Sequence, residues 1–120
     1  MNKKILIADD SLFMRKILKD ILSEKYKIVE AATGSEAEQQ FKEEKPDLVL
    51  LDIIMPKGEE EGIKVLKKIG KSNLKAKVVM ITAVGQKTII EECKKLGAVD
   101  YIVKPFDKEE VINKVQKYLG

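Results

Sequence analysis

Histidine is absent from this 120-residue chain. That excludes His-based acid–base catalysis, Ser-His triads and zinc sites that need imidazole. Carboxylates, lysine, hydroxyls and backbone are left to carry any chemistry. Cysteine occurs once, at Cys93. An internal disulfide is therefore excluded and a reducing cytoplasm fits; helical spacing from Ile89 and Leu96 marks Cys93 as a small core residue. No apolar run approaches the roughly 18 residues of a membrane span. The N-terminal apolar stretch ends after four residues at Asp9 and Asp10, so it reads as a first strand and not as a signal peptide. Arginine is nearly missing: all but one of the 23 basic residues are lysines, interleaved with 20 acids for a net charge of +3. A nucleic-acid surface shows a basic stripe, often with arginines and stacking aromatics. Solvated lysine-rich helix faces are expected instead, with no nucleic-acid and no membrane partner. Low-complexity segments, repeats and linkers are also lacking, so residues 1–120 read as one domain.

What is present alternates. Short apolar runs at 5–8, 28–31, 48–51, 78–81 and 101–103 have the length and aliphatic character of buried parallel strands. Between them the period turns helical: Met14, Ile17, Leu18, Ile21 and Leu22 form one stripe, Ile63, Leu66 and Ile69 another, and Val111, Val115, Tyr118 and Leu119 the last. Ser11 and Ser35 are expected N-caps, Gly34 and Gly97 are expected turn residues, and Asp107, Glu109 and Glu110 make an acidic helix start. Regular β-then-α alternation predicts an α/β, flavodoxin-like fold: a doubly wound, five-stranded parallel sheet of order 2-1-3-4-5.

Ligands of such sheets bind beyond the carboxyl ends of the strands. Those ends are unevenly polar. The first run stops at Asp9-Asp10, the third at Asp52, the fourth at Thr82 and the fifth at Lys104-Pro105; the second stops blandly at Ala32-Thr33. Taken singly, each residue has an ordinary explanation: a turn or helix cap for the acids, a β-former for Thr82, a solvated side chain for Lys104. In the predicted order the four polar ends are neighbours, and their joint placement favours a site. Gathered carboxylates must either hold protons at raised pKa or be neutralised by a cation. Mg²⁺, a hard ion that keeps waters and leaves room for phosphate, suits an all-oxygen set. Lysine and a hydroxyl are phosphate ligands. The combination describes Mg²⁺-assisted phosphoryl transfer, and without P-loop glycines the acceptor is expected to be a protein carboxylate.

The segments "ILIADDSLFMRKIL", "PDLVLLDIIMP", "VVMITAVGQ" and "GAVDYIVKPF" together resemble the landmarks of response-regulator receiver domains, and most closely those of the stand-alone, CheY-type chemotaxis regulators. The resemblance implies that Asp52 is the phosphoacceptor and that Mg²⁺ is held by Asp9, Asp10, Asp52 and the backbone carbonyl of Ile54. It implies that Lys104 pairs with the phosphoryl group, that Thr82 is the switch hydroxyl and Tyr101 the switch aromatic, and that the Lys104–Pro105 bond is cis. The implied donor is a CheA-like histidine kinase. The implied output is a motor-switch or adaptor protein bound at residues 86–96, Tyr101 and 111–119, including Ile90 and Lys94. Ile90 lies off the Ile89–Cys93–Leu96 stripe, so it is either an exposed partner contact or a residue at the core margin. A cytoplasmic monomer that acts as a switch and not as an enzyme is expected. With no DNA-binding module after Gly120, direct transcriptional output is not.

Two departures from the family pattern stand out. Pro56 and Gly62 are separated by five residues, 57–61, where three are usual, and three of the five are glutamates. That loop reads either as solvated and without a role or as a tuner of partner docking or Mg²⁺ affinity. Ile54 and Val84, which border the path of the hydrolytic water in the family, are apolar here; slow self-dephosphorylation and reliance on a phosphatase follow. Within the family the rival reading is a phosphorelay intermediate. An aspartyl-phosphate hydrolase would need an acid where Ile54 stands and a cap domain. A flavodoxin-like cofactor binder would need a phosphate-binding loop where Asp9 and Asp10 stand.

Overall fold

The computed structural model describes residues 2–58, 60–72, 75–83 and 87–120. Among the described residues ten elements alternate: β1 (Lys4–Ala8), α1 (Leu12–Leu22), β2 (Lys27–Ala31), α2 (Gly34–Glu44), β3 (Leu48–Asp52), α3 (Glu61–Lys71), β4 (Lys77–Thr82), α4 (Lys87–Lys95), β5 (Asp100–Val103) and α5 (Lys108–Leu119). All strand pairs are parallel and the order is β2-β1-β3-β4-β5, as the alternation predicts. Most strands begin one residue before their apolar run, at Lys4, Lys27, Lys77 and Asp100. Backbone pairing does not require an apolar side chain, so the ladder extends to the sheet margin.

The two-residue period of the strands divides the core. Leu6, Ala8, Val49, Leu51, Val78 and Met80 face one side and pack with Ala37 and Phe41 of α2, Val65, Leu66 and Ile69 of α3, and Cys93 of α4. Ile5, Ile7, Leu48, Leu50, Val79 and Ile81 face the other, against Leu18 and Leu22 of α1 and Val111 and Val115 of α5. Central β3 is therefore buried along its whole length, which is why its sequence is continuous in apolar residues. No helix among the described residues is long and apolar enough to cross a membrane.

Helix starts agree with the sequence in part. Ser11 caps α1, its hydroxyl accepting from Met14 N. The second cap is Thr33, not Ser35: Thr33 Oγ1 accepts from Glu36 N, and Glu36 Oε1 accepts from Ala32 N. Both Thr33 and Ser35 stand three residues before a glutamate, so sequence spacing satisfies a capping box at either. The choice is made by Gly34, whose N–H is taken by a tertiary partner, Glu61. Gly34 is thus the first residue of α2 and not a turn residue, whereas Gly97 has φ +115° and does punctuate a turn.

The chain returns sharply after β3. Met55 and Gly58 bond to each other across a turn, and Gly62 N donates to the Ile53 carbonyl at 3.0 Å. This seats the start of α3 directly on the end of β3. A Cβ at Gly62 would lie 2.0 Å from the Asp52 carbonyl oxygen and 2.6 Å from Ile53 Cα. Backbone cannot yield as a side-chain end can, so Gly62→Ala is expected to destabilise the fold by about 3 kcal/mol, measured by urea unfolding. A loss within about 0.5 kcal/mol, the range of neutral surface changes, would contradict this close packing.

Candidate functional site

Strand register determines which polar residues meet. Ala8 pairs with Leu51, so Asp9 and Asp52, each one position further on, emerge level with one another from β1 and β3. These are the strands at the point where the order reverses, the usual ligand crevice of an open α/β sheet. Thr82 pairs with Val103, and Lys104 follows, its N–H donating to the Thr82 carbonyl at 2.8 Å. The Lys104–Pro105 bond is cis.

The side chains converge accordingly. Lys104 Nζ lies 2.8 Å from Asp9 Oδ2 and 3.2 Å from Asp52 Oδ2. The remaining oxygens are held by backbone: Ser11 N donates to Asp9 Oδ1 at 2.9 Å, and Ile54 N donates to Asp52 Oδ1 at 3.2 Å. Asp9 and Asp52 are buried, Asp10 is exposed, and one carboxylate oxygen from each lies within 4.8 Å of the others.

Burial, opposed by the Lys104 ammonium and the Ile54 N–H and reinforced by the negative charge of Asp9, lifts the Asp52 carboxyl from its ordinary 3.8 to about 6. Burial works to lower Lys104, but its bond to Asp9 and the charges of Asp52 and Asp9 prevail, and its pKa is raised. One ammonium, in contact with Asp9 and Asp52, does not balance a cluster of three carboxylates. Three convergent oxygen donors, two of them buried, suit a hard divalent cation.

Tyr101 belongs to β5, the strand that leads into Lys104. Thr82 is fully buried, and it lines a hollow together with Ile53, Ile90, Cys93, Lys94 and Tyr101. The Lys94 and Lys114 ammoniums lie 5.3 and 5.2 Å from the Tyr101 ring centroid, within cation–π range. Ile90 is half-buried, which is the core-margin alternative, yet it adjoins both Tyr101 and exposed Lys94. Ile54, two residues beyond Asp52, is 37 % exposed. Val84 and Gln86 lie outside the described residues.

Two residues that sequence reasoning passes over hold the site in place. Arg15, the single arginine, donates from Nη1 to the Asp9 carbonyl at 2.7 Å and from Nε to Glu30 Oε1 at 3.1 Å, tying the β1–α1 turn to β2. Glu61 belongs by sequence to the acidic loop, but it opens α3 and is buried. The signal is helical phase: Glu61 shares the buried stripe of Val65, Leu66 and Ile69.

Because the folded chain binds the Asp52 proton more tightly than the unfolded chain, stability from this residue is fully present below about pH 4. It is lost as pH rises through about 6. Asp52→Asn, which cannot ionise, is expected to be more stable than the wild type by on the order of 2–3 kcal/mol at pH 8 without divalent cations. The advantage should vanish toward pH 4. Urea unfolding across that range checks this, and an advantage that grew on acidification would contradict it.

Known proteins resemble this chain along nearly its whole length. The family described as "Response regulator receiver domain" matches residues 5–116. The chemotaxis protein CheY of Thermotoga maritima is 45% identical over 122 residues, covering 98% of this chain and 100% of that protein. CheY of Bacillus subtilis is 41% identical, covering 100% of both. A solved CheX–CheY–BeF3–Mg²⁺ complex from Borrelia burgdorferi contains a chain that is 39% identical, with a TM-score of 0.88, over 96% of this chain and 87% of that one. A family match from the first strand into the last helix, with relatives matched end to end, means that this chain belongs to the response-regulator receiver domain family.

Proposed function

We propose that residues 1–120 act as a single receiver domain, the stand-alone response regulator of a two-component system. In this reading Asp52 accepts a phosphoryl group from the phosphohistidine of a kinase, and the phosphorylated chain binds a partner such as a chemotaxis motor switch. The observation that carries it is the Lys104 ammonium lying between Asp9 and Asp52 within a cluster of three carboxylates. A nucleophile, cation ligands and a phosphate-binding ammonium then share one crevice. The CheY relatives, and the Mg²⁺ and BeF3 of the Borrelia complex, support the same reading.

Transfer breaks the N–P bond of the donor, whose electron pair stays with the imidazole, and forms an O–P bond to the Asp52 carboxylate in line. Asp52 must be ionised to attack, and near pH 6 in the bare cluster it is only half so. Mg²⁺, held by Asp9, Asp10, Asp52 and the Ile54 carbonyl, would supply the positive charge that keeps Asp52 ionised and stabilises the phosphoryl oxygens. Lys104 exchanges its contact with the Asp52 carboxylate for one with a phosphoryl oxygen. The Thr82 hydroxyl moves to donate to another. Tyr101 shares its hollow with Thr82, so that movement changes the space open to the ring and alters the face formed by Ile90, Lys94 and Tyr101. The apolar, partly exposed Ile54 cannot orient a hydrolytic water, so the acyl phosphate persists until a phosphatase removes it.

Affinity capture with and without beryllofluoride tests the function. A motor-switch or adaptor protein is expected on the beryllofluoride form and should be lost with Asp52→Asn; recovery of a histidine phosphotransferase instead would favour a phosphorelay intermediate. Ile54→Asn, which adds one water-orienting group, is expected to shorten the phosphoryl lifetime about fivefold, the worth of one ordinary hydrogen bond. A lifetime equal to the wild type or longer refutes the assignment of Ile54.

A further inference from the structure

Only one of the glutamates between Gly58 and Gly62 is known to turn inward among the described residues. Glu61 is 9 % exposed, and its carboxylate accepts two backbone N–H groups. Oε2 takes the Gly34 N–H at the start of α2, across 27 positions of sequence, and Oε1 takes the Lys57 N–H at 2.6 Å. Both are charge-assisted bonds to a buried acceptor, the stronger class of hydrogen bond. The first also sets a negative charge at the positive end of the α2 dipole.

The same loop begins at the acid cluster. Ile54 N donates to Asp52 Oδ1, Met55 and Gly58 close the turn, and Lys57 lies within that turn. Gly62 N fixes the far end on the Ile53 carbonyl. The path from Asp52 to α3 is thus held at both ends by its own backbone. Its middle is bonded at Lys57 to Glu61, whose other oxygen reaches the start of α2. A loop two residues longer than the family pattern has more slack to take up, and Glu61 sits at the end of that longer stretch.

We propose that Glu61 is a positioning residue of the cation site. By clasping Gly34 and Lys57 it sets the course of residues 53–58, and with it the Ile54 carbonyl, so that it governs the affinity of the acid cluster for Mg²⁺. The inference rests on the reading of Asp9, Asp10 and Asp52 as a Mg²⁺ site. It gives the longer acidic loop a specific role, in which one glutamate anchors the loop to α2.

Two variants disturb the clasp from opposite sides. Glu61→Gln keeps the shape but turns one acceptor oxygen into a donor facing a donor. Gly34→Ala leaves Glu61 intact but places a Cβ 2.8 Å from its Cγ and Oε2. Titration calorimetry with MgCl₂ alone should show both binding about tenfold more weakly than the wild type, the lower end for loss of an outer-shell partner. With acetyl phosphate as donor, half-maximal phosphorylation should need correspondingly more Mg²⁺, while the rate at saturating Mg²⁺ stays within about twofold. Val65→Ala, on the same buried stripe of α3, should lower Tm without moving the Mg²⁺ affinity, separating positioning from general loss of stability. Wild-type Mg²⁺ affinity in both clasp variants, whatever their Tm, overturns the inference and leaves the receiver reading intact. A wild-type chain that binds no Mg²⁺ overturns both.

Discussion

The Lys104 ammonium between Asp9 and Asp52 is the interaction on which the open end of the sheet depends. Two carboxylates emerging level from neighbouring strands, both buried, repel one another and have lost most of their hydration. Lys104 follows directly on β5, two strands away from β3, and reaches across β4 to meet them. Its contribution is compensation of charge already committed to that place by the strand register. A buried ion pair of this kind adds little net stability against an apolar replacement, but losing one partner leaves the other charge exposed to the full cost of burial. In the proposed function its value lies in placing a cation in advance beside the carboxylate that would accept the phosphoryl group, where it can change partner without a large rearrangement.

Such a site tolerates little slack, and the molecule limits it in two ways. The strands form a plate with β3 buried throughout and helices on both faces, so the strand tips are rigid. The turns beyond the tips are held by side chains that each bond in two places: Arg15 to the Asp9 carbonyl and Glu30, and Glu61 to Gly34 and Lys57. Arg15 uses separate nitrogens of its planar fork for two acceptors in different elements, a geometry lysine does not reproduce. In a chain otherwise restricted to lysine, that is a physical reason for its one arginine.

The fold was legible because its main constraint is periodic. Strands buried on both faces must be short and wholly apolar, and helices covering them must carry a stripe, so both patterns could be read from residue spacing alone. The acids, Thr82 and Lys104 were legible for the same reason: once the strands were placed, so were the residues following each one. Helix details were read less well where a tertiary bond chose between equivalent local options. Thr33 and Ser35 both satisfy a capping spacing, and only the bond from Gly34 to Glu61 selects Thr33.

Sequence by itself determined the class of fold, the strand order and which polar residues stand at the strand ends, because these follow from periodicity and chain order. Tertiary structure alone decided that Lys104 contacts Asp9 more closely than Asp52 and that Ile90 is half-buried beside Tyr101. It alone decided that a glutamate within an acidic run is a buried anchor. Each of these depends on distances between elements remote in the chain, and a carboxylate on a helix face looks the same in sequence whether water or a backbone N–H awaits it.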